Sequence, residues 1–153
     1  MNTYQNFTHW VHERHAPIWM DVVRVVIGIF LFAKGLIFTS NFPGLTQNIQ
    51  EMGFVYLAVI AGHYIYLMHM AGGLLIILGA HTRVFCALNI PILAGAVAFN
   101  AMHYMTVDGL MELEVAIATL FGLFVLLIFG SGEFSLDEMQ RRRDLKKRAS
   151  KLH

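Results

Sequence analysis

Apolar positions along the chain fall into four long runs, residues 19–40, 54–80, 84–104 and 113–130, separated by short polar stretches. A helix needs roughly 20 residues to cross a hydrocarbon core, and each run is about that long. The pattern predicts an all-α fold, an integral membrane antiparallel four-helix bundle. The link at residues 81–83 is so short that the second and third spans must be antiparallel neighbours. Four crossings bring both termini to one face.

Segments flanking the runs carry patterns of their own. Phe7, Trp10 and Val11 recur at helical spacing among His9, His12, Glu13, Arg14 and His15, which predicts a short interfacial helix in the headgroup zone. Between the first two runs, Pro43 and Gly44 followed by Leu45, Ile49 and Met52 predict one short amphipathic turn capping the bundle. Pro91 lies about two turns into the third span, where it is expected to bend the helix, with the freed carbonyl re-satisfied by neighbours. The fourth span closes at Gly130, Ser131 and Gly132, and Ser135 followed by Glu138 forms a capping box that opens a basic helix from Leu136. The expected organisation is an interfacial segment over 1–18, a four-span domain over 19–130 and a basic tail over 131–153.

Small residues add detail. Arg24, Gly28, Leu31 and Gly35 form one stripe on the first span, and Gly62, Tyr66, His69 and Gly73 another on the second. Glycine on a membrane helix marks where a second helix approaches closely.

The formal charge of +1 hides a strong segregation. Arg14, Arg24, Arg83 and the basic residues of 141–151 all fall on the side of the termini and the second loop, whereas the loops at 41–53 and 105–112 hold Glu51, Asp108 and Glu112 with no Lys or Arg. The positive-inside rule then places both termini in the cytoplasm. The tail is expected to meet anionic headgroups, so the partner is the lipid bilayer and not nucleic acid. No cleavable signal peptide is expected, because a polar stretch opens the chain and further apolar runs follow the first. With 57% hydrophobic content in 153 residues, no separate catalytic domain is expected. Cys86 stands alone, which excludes an internal disulfide or a CxxC redox pair.

Lys34 breaks the charge pattern. It sits roughly 9 Å from the outer end of its span at about 1.5 Å per residue. Ionisable side chains at a span centre cost about 2.5–3.5 kcal/mol on insertion scales, so those present need partners. His63 lies comparably deep in the second span, Asn100 and His103 near the outer end of the third, and Glu112 and Glu114 at the start of the fourth. His63, Tyr66 and His69 fall within an arc of about 120° on one helix. Asn89, Ala96, Asn100 and His103 form a stripe on the next. Glu112 and Glu114 are about 200° apart and cannot both face inward. Ala118 and Gly122 follow Glu114 at four-residue steps, which favours Glu114 as the partner of Lys34. The candidate ligand-binding set is Lys34, His63, Tyr66, His69, Asn100, His103, Glu112 and Glu114. No metal site is expected. Copper or haem held by His63, His69 or His103 is the weaker reading, since no spacing demands it.

Arg24 to Gly28 leading to Lys34 and Gly35, the run Ala71-Gly72-Gly73 to Gly79 leading into Thr82 and Arg83, Glu112 to Glu114, and the closing stretch at 130–137 occur in the order and spacing of one family. On these motifs the chain resembles the DoxX family of small bacterial four-helix membrane proteins. Its relatives include DoxD, a subunit of thiosulfate:quinone oxidoreductase. The resemblance implies the bacterial inner membrane and a link to quinone-coupled redox systems. The reading is a membrane subunit of a redox system that binds a quinone-like or other hydrophobic ligand near the outer leaflet. Other membrane subunits or self-association supply its protein contacts. The alternative is a non-catalytic scaffold or assembly subunit whose glycine faces dock a partner, with a small transporter ranked below both.

Overall fold

The computed structural model describes residues 18–102, 107–130, 132 and 135–149, and apart from short turns these are helical. The helix expected around His9, His12 and His15, and the side chain of His103, lie outside the described residues. In chain order the elements are α1 (Ile18–Ser40), α2 (Phe42–Glu51), a single 3₁₀ turn (Val55–Leu57), α3 (Ala58–Leu78), α4 (Thr82–Met102), α5 (Val107–Phe129) and α6 (Leu136–Ala149). Four helices among them are long and apolar enough to cross a bilayer: α1, α3 with its preceding turn, α4 and α5. Their outward faces expose large apolar side chains such as Val26 and Ile29 on α1 and Ile117 and Phe121 on α5, as a lipid-facing surface requires.

Two element boundaries differ from the sequence pattern. The loop after α1 holds a ten-residue helix, α2, where one turn was expected. Asn41 caps it, its Oδ1 accepting the Gly44 N–H at 3.3 Å, and Leu45 and Ile49 bury their side chains against Ala58, Phe38 and Ile65. The second difference is α5, which starts at Val107, ahead of the apolar run.

The bundle is built as two pairs, α1 against α3 and α4 against α5. A Cβ on Gly28 would lie 2.8 Å from the Gly73 carbonyl oxygen and 2.9 Å from the Ile77 nitrogen, so only glycine permits this backbone contact. One turn-pair further along, a Cβ on Gly35 would lie 2.8 Å from the Met70 nitrogen. The stripe Arg24, Gly28, Leu31, Gly35 is thus the buried side of α1. These glycines, which the scaffold reading reserves for a partner, are occupied by contacts within the chain.

The pairs are joined firmly at the Arg24 end. A shared core of Ile27, Leu31, Ile76, Cys86, Leu123 and Leu126 crosses between them. Asn89, fully buried on α4, donates from Nδ2 to the Met68 carbonyl of α3 at 3.3 Å and to Phe85 of its own helix at 2.9 Å.

Four chain segments meet beyond that core. Buried Arg24 lies 3.0 Å from Asp21 on the next turn of α1. Gly79 ends α3 in the left-handed conformation (φ 69°), which lets the Ala80 N–H donate to the Leu75 carbonyl at 2.9 Å. Asp137, at the start of α6, accepts the His81 and Thr82 N–H groups at 2.8 and 3.1 Å and so caps α4. The Ser135 hydroxyl accepts the Glu138 N–H at 3.1 Å, which is the cap expected for α6. The α4 helix runs on through Pro91, and on the turn before it the Leu88 carbonyl accepts the Tyr64 hydroxyl at 3.4 Å.

Candidate functional site

Toward the Lys34 end the two pairs part around a cavity of about 790 Å³. Its walls follow from the residues that each helix turns inward. On α4, Pro91, Gly95 and Ala96 supply little side-chain volume, so the space between the pairs is left unfilled. The helix α2 covers it with Leu45, Asn48 and Ile49, while Phe30 and Phe38 of α1 and Phe99 of α4 make the lining largely apolar.

A charge pair spans the two helix pairs beside this space. The Lys34 ammonium donates to both carboxylate oxygens of Glu112, at 2.7 Å to Oε1 and 2.6 Å to Oε2, and both residues line the cavity. The Phe30 ring centroid lies 6.0 Å from the same ammonium. The side chain of Lys34 is 21% exposed and that of Glu112 is 53% exposed, so the lysine is the enclosed member and the carboxylate sits at the mouth.

This corrects the expected pairing with Glu114, which is exposed and does not line the cavity. The physical reason is helical period. Ala116, Thr119, Leu123 and Leu126 are buried on α5, together with Gly122, and from Glu112 the first four step by four, three, four and three. Glu114 falls off that stripe, as does exposed Ala118. Gly122 is buried against Ile27, but Ala118 one turn before it is exposed, so the small residues do not trace a single inner face back to Glu114.

His69 and Asn100 also line the cavity. His69 is only 4% exposed, its Nδ1 lies 3.0 Å from the Ile65 carbonyl oxygen, and its ring meets Phe38 edge-on at 5.4 Å. His63 and Tyr66 are not part of the lining. His63 turns to its own helix, with Nδ1 2.7 Å from the Val59 carbonyl oxygen, and stacks edge-on against Phe42 at 4.6 Å. Tyr66 meets the same Phe42 ring at 6.0 Å. An arc of about 120° is wide enough for its two ends to face different neighbours, and His63 and His69 do so. His103 lies outside the described residues.

Tyr64, Asn41 and Asn48 line the cavity and were not singled out from the sequence. A signal for Tyr64 exists: Leu57, Ala61 and Tyr64 step by four and three, the period of an inward stripe. Among the described residues no group of three His, Cys, Asp or Glu side chains is placed to hold a metal ion.

Taken together, the lining can hold an elongated apolar molecule with one small polar end. Its two charges cancel, which suits a neutral head better than a carboxylate or phosphate.

Four membrane-crossing helices around a largely apolar cavity define a small multi-pass membrane protein. The chain belongs to the DoxX family, whose model matches residues 19–104. That match takes in Lys34, His69 and Asn100 and stops short of Glu112. No curated protein and no solved structure matches the chain.

Proposed function

We propose that the protein binds a neutral hydrophobic ligand with a small polar head, of the quinone and quinol class, as a membrane subunit of a redox system. The observation that carries this reading is the cavity itself. At about 790 Å³ it falls within the range of about 300–1,000 Å³ usual for small-molecule sites. Its polar groups are few and confined to Lys34, Glu112, His69, Asn100, Tyr64, Asn41 and Asn48, so the ligand's head would sit among them and its tail along Phe30, Phe38 and Phe99. Asn100 supplies a donor for a head-group oxygen. The redox context is what the resemblance to the DoxX family, with DoxD among its relatives, implies.

The orientation is part of the proposal. Arg24, Arg83, Arg143 and Lys147 all belong to the end of the bundle where α6 begins. By the positive-inside rule that end faces the cytoplasm, which puts the cavity in the outer half of the bilayer.

Purification, solvent extraction and mass spectrometry test this reading. An isoprenoid quinone is expected to accompany the intact chain and to be lost from an Ala96→Phe variant, whose ring would fill the cavity. Recovery no greater than from an unrelated membrane protein of similar size would overturn it.

A further inference from the structure

We propose that the cavity selects a hydroxyl-bearing head, a phenol or quinol in preference to the matching quinone or ether, and that His69 is the acceptor for that hydroxyl. The inference deepens the reading of the cavity as a ligand site and rests on it.

The direction of one hydrogen bond carries the argument. A carbonyl oxygen only accepts, so the 3.0 Å contact between His69 Nδ1 and the Ile65 carbonyl requires the proton on Nδ1. A neutral imidazole has a single N–H, which leaves Nε2 as a bare acceptor. Neutrality follows from the surroundings. The ring is 4% exposed, and Glu112, the one carboxylate lining the cavity among the described residues, is already held at both oxygens by Lys34. An imidazolium at this position would lack a counter-charge.

Among the other polar groups of the lining, Asn100 is half-buried and its carboxamide both donates and accepts, so it does not distinguish a hydroxyl from a carbonyl, and the rest are engaged or exposed. Asn41 accepts the Gly44 N–H, Tyr64 donates to the Leu88 carbonyl, Lys34 and Glu112 satisfy one another, and Asn48 is exposed. His69 Nε2 has no hydrogen-bond partner among the described residues, although the residue lines the cavity and is almost wholly buried. Unlike the sealed Asn89 Oδ1, Nε2 keeps accessible surface, and a ligand in the cavity can reach it. Phe38 fixes the ring edge-on at 5.4 Å, so rotation does not offer a different atom to the ligand. A ligand hydroxyl gives Nε2 its missing donor, whereas a carbonyl or ether oxygen there sets acceptor against acceptor. His63 makes the contrast: it has the same bond to its own helix, but it is exposed and off the cavity, so its second nitrogen does not serve the lining.

The test compares 4-nonylphenol with 4-nonylanisole, which differ by one methyl on the head oxygen. Retention of each probe by the full chain in detergent is counted by native mass spectrometry, and ¹⁵N NMR of labelled histidine reads the state of Nε2. The phenol is expected to bind about tenfold or more tightly than the ether. It should also shift the His69 Nε2 resonance, with the ether leaving that resonance unmoved. A His69→Phe variant should bind the two alike, and the NMR shift on the unmodified chain decides the matter even if that variant fails to fold. Equal binding without a shift, or tighter binding of the ether, overturns the assignment of His69 and leaves the ligand cavity standing. Failure of both probes to bind removes the ligand reading as well.

Discussion

The Lys34 ammonium and the Glu112 carboxylate, 78 residues apart in the chain, meet at 2.6 Å and tie helix α1 to helix α5. Each belongs to a different helix pair, so this contact bridges the gap that the cavity leaves. In lipid each charge is tolerable because the other is present.

Removing one partner should therefore cost more than removing both. Lys34→Met or Glu112→Gln alone is expected to lower stability by about 1–3 kcal/mol, less than a fully buried pair because Glu112 is half exposed. The double replacement Lys34→Met with Glu112→Leu should recover most of that loss, and Glu114→Gln should do nothing. Thermal unfolding in detergent, followed by circular dichroism, measures all four. Equal losses for Glu112→Gln and Glu114→Gln would contradict the pairing.

The contact between α1 and α3 makes a sharper steric prediction. Valine at Gly28 places atoms within 3 Å of the Gly73 carbonyl and the Ile77 backbone, so the helices must separate, at a cost of about 1–3 kcal/mol. Gly95 is the control, since a Cβ there finds its nearest neighbour, Met52 Cε, at 3.9 Å. Gly95→Ala should be neutral or stabilise by about 0.5–1 kcal/mol. The same unfolding measurement compares them, and a tolerated valine at Gly28 would refute the close approach.

Asp137 caps α4 across a gap of 55 residues from Thr82. Asp137→Ala should cost about 1 kcal/mol and speed hydrogen exchange at the His81 and Thr82 amides. Asp137→Asn keeps an acceptor and loses the charge, so its effect should be smaller. Unchanged exchange at those two amides would show that the cap contributes nothing.

Residues on and off the cavity should separate by ligand affinity. Asn100→Leu is expected to weaken retention of 4-nonylphenol by about 2- to 10-fold, the worth of one neutral hydrogen bond. His63→Phe and Tyr66→Phe, which alter the Phe42 cluster instead, should leave it unchanged. Native mass spectrometry reads the difference, and a loss at His63 as large as that at Asn100 would argue for a different site.

Much of the fold was legible because the relevant signals are local. Apolar run length located the spans, the spacing of Arg24, Gly28, Leu31 and Gly35 found the buried face of α1, and Ser135 with Glu138 marked the start of α6. The site was legible only in part. Lys34, Asn100 and Glu112 do line one cavity, as their shared depth suggests, and His69 joins them from a deeper turn while His63, of the same depth set, does not. Rotation about each helix axis was harder to read than depth. The small size of Ala118 and Gly122 points to Glu114, but only Gly122 is buried, and the stripe that leads back through Leu123, Thr119 and Ala116 reaches Glu112. His63 and His69 share a broad arc yet contact different neighbours, because Phe42 draws one and Phe38 meets the other. Tyr64 was missed because its inward direction depends on a helix phase shared with the apolar Leu57 and Ala61.

The two helix pairs, clamped at the Arg24 end, resemble a set of tongs. Arg24 and Lys34 are ten positions apart on one helix, a lever arm of roughly 15 Å. A tilt of about 4° between the arms then changes the gap at Lys34 by about 1 Å, which is comparable to the difference in girth between a flat ring and a methylated one. The Lys34–Glu112 contact straps the free tips. Any guest wide enough to spread the arms must stretch that strap, so the girth of the guest and the strength of the bond are two sides of one equilibrium.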